Sequence, residues 1–151
     1  MSKSLVFIII LISLAASSAQ AESGLVTVQS NFSVRETGDR LEQQLEEKGM
    51  TLFDRIDHAA GADSVGLALR PTELFIFGNP NAGTPLMQCS QSMAIDLPQK
   101  MLIWQDESGA VWLSYNDPYY LADRHELQSC EENIDVIAEA LASLARAASA
   151  D

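Results

Sequence analysis

The strongest constraint on the fold is a pair of apolar segments at 100–105 (KMLIWQ) and 110–115 (AVWLSY), joined by the short link 106–109 (DESG). A link of four residues that contains glycine is typical of an antiparallel hairpin. A doubly wound parallel sheet needs a long crossover between successive strands, and this link is too short for one. We therefore predict an α+β fold, with one mainly antiparallel sheet backed by helices.

Three more segments have the apolar and β-branched residues of strands, and all three precede the hairpin. The last of them is apolar at consecutive positions, which predicts a strand that is covered on both faces. The element order is then β-α-β-β-(α)-β-β-α-α, with a short helix inserted between strands. These three predicted strands are 24–30, 51–57 and 72–78.

Capping residues mark the expected ends of the helices. Ser33 and Glu36 have the S-x-x-E spacing of a capping box, and Gly49 is a typical stop residue after Lys48. Thr84 has the residue type of an N-cap, and Pro85 suits the first helical position. The predicted helices are 33–48, 85–93, 117–125 and 130–148, the last with a capping box of Ser129 and Glu132, while 58–66 is a loop or a single helical turn.

The first 21 residues have the composition of a removable export signal. Lys3 precedes an apolar stretch, and Ala19 and Ala21 provide the small residues of a cleavage site. The apolar stretch is shorter than the roughly 20 residues that span a bilayer. We therefore expect 22–151 to form one periplasmic or secreted domain, with no membrane span after cleavage.

The charge balance excludes one class of partner. The chain has 21 acidic and 9 basic residues and a formal net charge of −12. Affinity for DNA, RNA and anionic lipid depends largely on lysine and arginine contacts to phosphates. We therefore expect no nucleic-acid binding.

The two cysteines, Cys89 and Cys130, form the basis of a second expectation. Two thiols in an exported protein usually form one disulfide. Two alternatives stay open: both thiols are free and buried, or Met87, Cys89 and Met93 provide soft ligands for Cu(I). Methionines at helical spacing are more often part of a core, so the disulfide is our prediction and no metal site is expected.

The segment 77–89 (FGNPNAGTPLMQC) allows a structural and a functional interpretation. Glycine, Asn-Pro and Thr-Pro steps are ordinary turn and cap chemistry. A glycine-rich entry to a helix can also bind an anion, because free N–H groups and the helix dipole face outward. The segment is not a nucleotide-binding P-loop, since Thr84 follows Gly83 where that loop requires lysine.

Five side chains near predicted strand and helix ends are further candidates. Arg70 can clamp a carboxylate or pair with one of the many acids of the chain. His58 and His125 titrate near neutral pH, as general acid–base catalysis requires. For His125 a structural role is the stronger alternative, because it follows Arg124 at the end of a helix that Asp117 can cap.

No G-x-S-x-G, H-E-x-x-H or C-x-x-C pattern occurs, so no common hydrolase, zinc or thiol-redox chemistry is indicated and no cofactor is expected. The segments 55–62, 66–88 and 94–125 resemble the domain of unknown function 302 family. This resemblance implies a TATA-binding-protein-like β-α-β(4)-α fold and a homodimer, and it implies no reaction or ligand. Fold alone carries no DNA-binding implication here.

Three functional hypotheses follow. The first is a dimeric, non-enzymatic module that binds a small ligand or anion. The second is a small enzyme of unknown class, in which His58 or His125 acts as acid or base beside Asp57 or Asp117. The third is a structural or partner-binding envelope protein with an exposed apolar patch. The candidate ligand-binding residues are His58, Arg70, Asn79, Thr84, Asn116, Asp117, Arg124 and His125.

Overall fold

The computed structural model describes residues 24–150, so the predicted signal at 1–21 and the domain start at Glu22 lie outside the described residues. Within residues 24–150, five strands and five α-helices follow one another, with a 3₁₀ helix after α3 and another before α5. The elements are β1 (Leu25–Ser30), α1 (Val34–Glu47), β2 (Thr51–Asp57), α2 (His58–Asp63), β3 (Thr72–Gly78), α3 (Pro80–Cys89), the 3₁₀ helix Gln91–Ile95, β4 (Gln99–Gln105), β5 (Val111–Asn116), α4 (Pro118–Arg124), the 3₁₀ helix Gln128–Cys130 and α5 (Glu131–Ser149).

The strands form one sheet in the order β1-β5-β4-β3-β2, and every neighbouring pair is antiparallel. The predicted hairpin is β4–β5, with Met101 opposite Tyr115 and Trp104 opposite Trp112. The α+β prediction is therefore confirmed. The five predicted strands are observed, and the first and last helices are the long ones. Three short helices, α2, α3 and α4, are inserted between these elements.

A single aspartate organises the turn of this hairpin. Asp106 Oδ1 accepts hydrogen bonds from the backbone N–H groups of Ser108 and Ala110 and from the Ser108 hydroxyl. Asp106 Oδ2 accepts a bond of 2.7 Å from the indole N–H of Trp112. The Ser108 hydroxyl and the Trp112 indole lower the pKa of Asp106 from 3.8 to about 2, because they favour its charged form.

The core lies between one face of the sheet and the two long helices. Phe75 and Phe77 of β3 are buried on this face, and Leu41 of α1 and Leu144 of α5 belong to the same cluster. The alternate residues of β3, Leu74 and Ile76, are only partly buried. The expectation that both faces of this strand are covered is therefore wrong, because the long helices pack against a single face of an antiparallel sheet.

The first helix ends as the sequence predicts. Ser33 is the N-cap of α1, and its hydroxyl accepts a hydrogen bond from the backbone N–H of Glu36. Gly49, just after the helix, has a φ of 64°, in the left-handed region that glycine adopts without strain. Asp117 caps α4 with Pro118 at its first position, as expected, and Asp57 caps α2, which the sequence pattern did not predict.

One predicted helix start and one predicted capping box are wrong. Helix α3 begins at Pro80 with Asn79 as its N-cap, so Thr84 is not a cap and Pro85 lies inside the helix. Both Asn-Pro and Thr-Pro have the residue types of a helix start, and the first of them is used. Helix α5 begins at Glu131, with no side-chain cap from Ser129, because a 3₁₀ turn leads directly into it.

Candidate functional site

A pocket of about 430 Å³ opens beside the segment 77–89. One wall is α3, a second is the segment 94–99 that leads into β4, and a third is the middle of α5. The region around the start of β2 closes the remaining side. The lining residues are Met50, Phe53, Phe77, Gly78, Asn79, Pro80, Ala82, Gly83, Thr84, Met87, Ala94, Leu97, Pro98, Gln99, Val136, Ile137, Ala140 and Leu141.

The lining of this pocket contains no ionisable side chain. Its polar side chains are Asn79, Thr84 and Gln99, and the remaining lining residues are apolar or glycine. Two large apolar lining residues are exposed: Phe53 by 55% and Val136 by 65%. An uncharged cavity is unexpected in a chain whose net charge is −12.

The local sequence explains the wall that α3 provides. Asn79 Oδ1 accepts a hydrogen bond of 2.9 Å from the backbone N–H of Asn81. The carbonyl oxygen of Asn79 accepts bonds from the N–H groups of Ala82 and Gly83. The backbone N–H groups of Asn81, Ala82 and Gly83, which the sequence suggested as part of an anion site, are therefore hydrogen-bonded within the first turn of the helix.

A disulfide joins two walls of the pocket. Cys89 at the end of α3 is bonded to Cys130 at the start of α5, with a Cα–Cα distance of 6.6 Å. The predicted pairing is thus the one the structure contains. The copper alternative loses its thiolate to this bond, and Met93 is 99% buried in the core, with 1% exposed.

The candidate residues from the sequence do not form one site. Asn79 and Thr84 lie in the pocket, at the end of the sheet where β3 finishes. Arg70 lies at the opposite end, where its Nε donates to the carbonyl oxygen of Gln105 at 3.1 Å. His58 lies at that same opposite end as the exposed first residue of α2, directly after β2.

Two further candidates are engaged in local structure. Asn116 is the last residue of β5 and pairs with Leu25 of β1. Asp117 accepts a hydrogen bond of 2.9 Å from the backbone N–H of Tyr119 as the cap of α4. Neither residue lines the pocket.

A cluster of polar side chains surrounds His125, which is 7% exposed. Its Nε2 is 2.6 Å from Asp96 Oδ2, and its Nδ1 is 2.9 Å from Ser92 Oγ. Arg124 Nη1 lies 3.5 Å from the same Asp96 oxygen. The carboxylate partner of His125 is therefore Asp96, rather than the Asp117 that the sequence suggested.

Sequence reasoning missed the apolar walls and the partners of His125. Leu97 precedes β4 and Ile137 lies in α5, far apart in the chain, and only the tertiary fold brings them to the pocket. One signal was available for Val136, a large apolar residue that lies outside the buried face of α5. Asp96 and Ser92 carry no recognisable signature in the sequence.

Comparison with known proteins identifies the family. The family model described as "Domain of unknown function DUF302" matches residues 26–144. The chain belongs to this family. The crystal structure of the uncharacterized conserved protein DUF302 from Bacillus stearothermophilus covers 82% of this chain and 96% of that chain, with a TM-score of 0.74 and 20% identity. This likeness establishes the shared fold of the DUF302 domain.

Curated relatives come from Brucella and are longer. "Fluoride-specific ion channel FluC 1" of Brucella suis biovar 1 is 54% identical over 106 residues, which are 70% of this chain and 42% of that protein. The protein of the same name in Brucella abortus biovar 1 has the same identity, over 39% of its length. The chain thus spans about two fifths of these relatives. In residues 24–150, no helix has the length and apolar character needed to cross a membrane.

Proposed function

We propose that this DUF302 chain is an exported, dimeric binding module whose pocket takes a small, uncharged and largely apolar molecule. The observation that carries the proposal is the pocket of about 430 Å³ with no ionisable lining residue. Its volume falls within the range of roughly 300–1,000 Å³ that is typical of small-molecule sites. A few polar groups on an apolar wall are also typical of such sites.

The chemistry of the walls favours an uncharged ligand over an anion. Burying a charge without a partner is costly, and the lining offers no opposite charge to compensate it. The loop amides of Asn81, Ala82 and Gly83 are bonded within the helix. Apolar contact stabilises a bound molecule by about 25 cal/mol per Å² of apolar surface removed from water. Asn79, Thr84 and Gln99 can each bond one neutral polar group.

A pair of fluorescent dyes tests the pocket. N-phenyl-1-naphthylamine is neutral, and 1-anilinonaphthalene-8-sulfonate is a similar molecule that carries a sulfonate. We expect the neutral dye to bind at least roughly tenfold more tightly, a difference of about 1.4 kcal/mol. Ala140→Phe should fill the pocket and weaken binding of the neutral dye by a similar factor.

Glu139→Phe is the matched control, because it adds the same ring at the preceding position of α5, where the Glu139 side chain is 77% exposed and lies outside the pocket. This variant should bind the neutral dye as the wild type does. Equal affinity for both dyes would contradict the uncharged ligand class. Equal loss of binding in both variants would contradict the location of the site.

The dimer is proposed to form through the segment 64–69, which contains no charged residue. Val65, Leu67 and Leu69 in this segment are 70%, 67% and 50% exposed. Two copies of a chain with net charge −12 repel one another over most of their surface. An uncharged apolar segment is the place where a second copy can approach and bury apolar area.

Leu67→Asp should convert a dimer into a monomer, because it would place two like charges in the apolar contact. Light scattering after size-exclusion chromatography measures the mass of both forms. Gln29→Asp is the control, since it adds the same charge at an exposed position of β1. A wild-type chain that is monomeric at tens of micromolar, or equal masses for both variants, would refute this interface.

A second candidate function is favoured by the Brucella relatives. The matched residues form about two fifths of proteins named as fluoride channels, and the described part of this chain has no membrane-crossing helix. A channel needs membrane-spanning structure, so we assign it to the unmatched remainder of those relatives. We propose that this chain acts beside a fluoride channel as a separate extramembrane domain.

Co-purification tests this association. The Brucella suis channel protein, expressed without its matching segment, should be retained on beads that carry the tagged DUF302 chain in mild detergent. The control is the full-length channel protein, whose own segment should compete and reduce retention. Absence of retention in both cases would remove the candidate and leave the binding pocket unaffected.

A further inference from the structure

We propose that Ser92, His125 and Asp96 form a hydrolytic centre that cleaves small carboxylic esters, which reach it from solvent. The inference goes beyond the binding function and does not rest on it. A nucleophile, a base and a group that orients the base, bonded in series, are the parts that activate a serine hydroxyl. The structure places these three side chains in that series.

The carboxylate fixes the state of the imidazole. Asp96 Oδ2 lies 2.6 Å from His125 Nε2, and the two side chains are only 14% and 5% exposed. A carboxylate accepts hydrogen bonds, so it holds the proton of the neutral ring on Nε2. The lone pair of Nδ1 is then directed to Ser92 Oγ, at 2.9 Å.

The hydroxyl is also arranged to give up its proton. Ser90 Oγ lies 3.1 Å from Ser92 Oγ and can donate a hydrogen bond to it. The Ser92 proton then remains free for His125 Nδ1. Ser92 itself is exposed, although the base behind it is buried. A solvent-borne ester can therefore reach the nucleophile.

The reaction balances without a cofactor. Ser92 Oγ attacks the ester carbonyl carbon while its proton moves to His125 Nδ1. The carbon–oxygen bond to the alcohol breaks, and the alcohol leaves with that proton. Water then attacks the acyl-serine, its proton passing through His125 to the regenerated Ser92 hydroxyl. The products are one carboxylic acid and one alcohol.

Ser92 and His125 would be catalytic residues, and Asp96 would be a positioning residue that acts through the imidazole. Arg124 Nη1 lies 3.5 Å from Asp96 Oδ2, and Lys100 Nζ donates a hydrogen bond to the backbone carbonyl oxygen of Asp96 at 3.3 Å. Asp96→Asn leaves the size of the side chain unchanged but removes its preference for the Nε2–H tautomer. Asp96→Asn therefore tests whether Asp96 orients the imidazole of His125 or only packs against it.

Covalent labelling tests the centre in the folded chain. A fluorophosphonate should add once to the wild type, on Ser92 as mapped by peptide mass spectrometry. Ser92→Ala should abolish the adduct, and Ser129→Ala, a control at an exposed serine outside the Ser92–His125–Asp96 series, should keep it. His125→Gln should slow labelling roughly 100-fold, the typical contribution of a general base.

Asp96→Asn should slow labelling and shift the pH dependence of its rate, whereas a structural role would leave the pH dependence unchanged. Circular dichroism verifies that each variant is folded. p-Nitrophenyl acetate hydrolysis should follow the same order of variants. An unlabelled wild type, or an adduct that persists in Ser92→Ala, would overturn the proposal.

Discussion

Replacing Cys89 and Cys130 together by alanine should lower the free energy of unfolding by about 4 kcal/mol, the value that loop-closure entropy gives for a sequence separation of 41. The bond restricts the unfolded chain, so its loss favours unfolding even if native contacts are kept. It also ties the end of α3 to the start of α5. Urea denaturation of the wild type and the double variant measures the difference.

A reductant provides the matched control for this prediction. Cys89 is exposed, so a small thiol can reach the bond, whereas Cys130 is only 6% exposed. Reduced wild type should unfold at nearly the urea concentration of the double variant, and the double variant should not respond to reductant. An unchanged midpoint on reduction would show that the bond contributes nothing to stability.

The same variant has a consequence for the pocket. Helix α3 is short, contains Pro85 and contributes Leu86 to the core. An interior proline removes one helical hydrogen bond and is costly for a helix. Without the disulfide, this wall is held mainly by its packing. We therefore expect the neutral dye to bind more weakly to the double variant than to the oxidised wild type.

The elements of the fold could be predicted because local signals and tertiary structure agree there. The hairpin link 106–109, the Ser33 cap and the Gly49 stop each specify a backbone geometry by themselves. The start of α3 could not be predicted in the same way. Asn79 before Pro80 and Thr84 before Pro85 are equivalent signals, and the rule against interior proline favours the later one, which the structure does not use.

The candidate sites were less predictable because they depend on long-range contacts. The segment 77–89 was noticed for its glycines and prolines, but the pocket is defined by Leu97 and Ile137, which come from elsewhere in the chain. Asp96 and His125 are 29 residues apart, and no local pattern pairs them. Single-sequence patterns describe neighbours along a helix or strand, and they say little about which elements meet.

The ion pairs of Arg55, which lies beside the core, should contribute substantially to the free energy of unfolding. Arg55 of β2 donates from Nε to Glu73 Oε2 at 2.7 Å and from Nη1 to Asp39 Oδ1 at 2.7 Å. Its guanidinium also lies 4.9 Å from the centre of the Phe75 ring. Burial lowers the pKa of Arg55, but hydrogen bonds to Glu73 and Asp39 outweigh this effect and raise it above its usual value.

The fold makes room for this cation at one glycine of α1. A Cβ at Gly38 would lie 2.8 Å from Arg55 Nη2 and 2.7 Å from Phe75 Cζ, closer than real Cβ atoms approach. Arg55 is 26% exposed and Glu73 only 14%, so the pair is shielded from water on one side. The contact connects α1, β2 and β3 at one point.

Arg55→Met should therefore cost about 2 kcal/mol of unfolding free energy. This is below the 3–5 kcal/mol typical of breaking a fully buried pair, because Arg55 is partly exposed. Arg146→Met is the control: its partner Glu139 is 77% exposed, and such surface pairs contribute about 0–1 kcal/mol. In the double variant Arg55→Met with Glu73→Gln, part of the loss should be recovered, because Glu73 no longer leaves a shielded charge unpaired. Equal losses in Arg55→Met and Arg146→Met would mean that the Arg55 contacts behave as an ordinary surface pair.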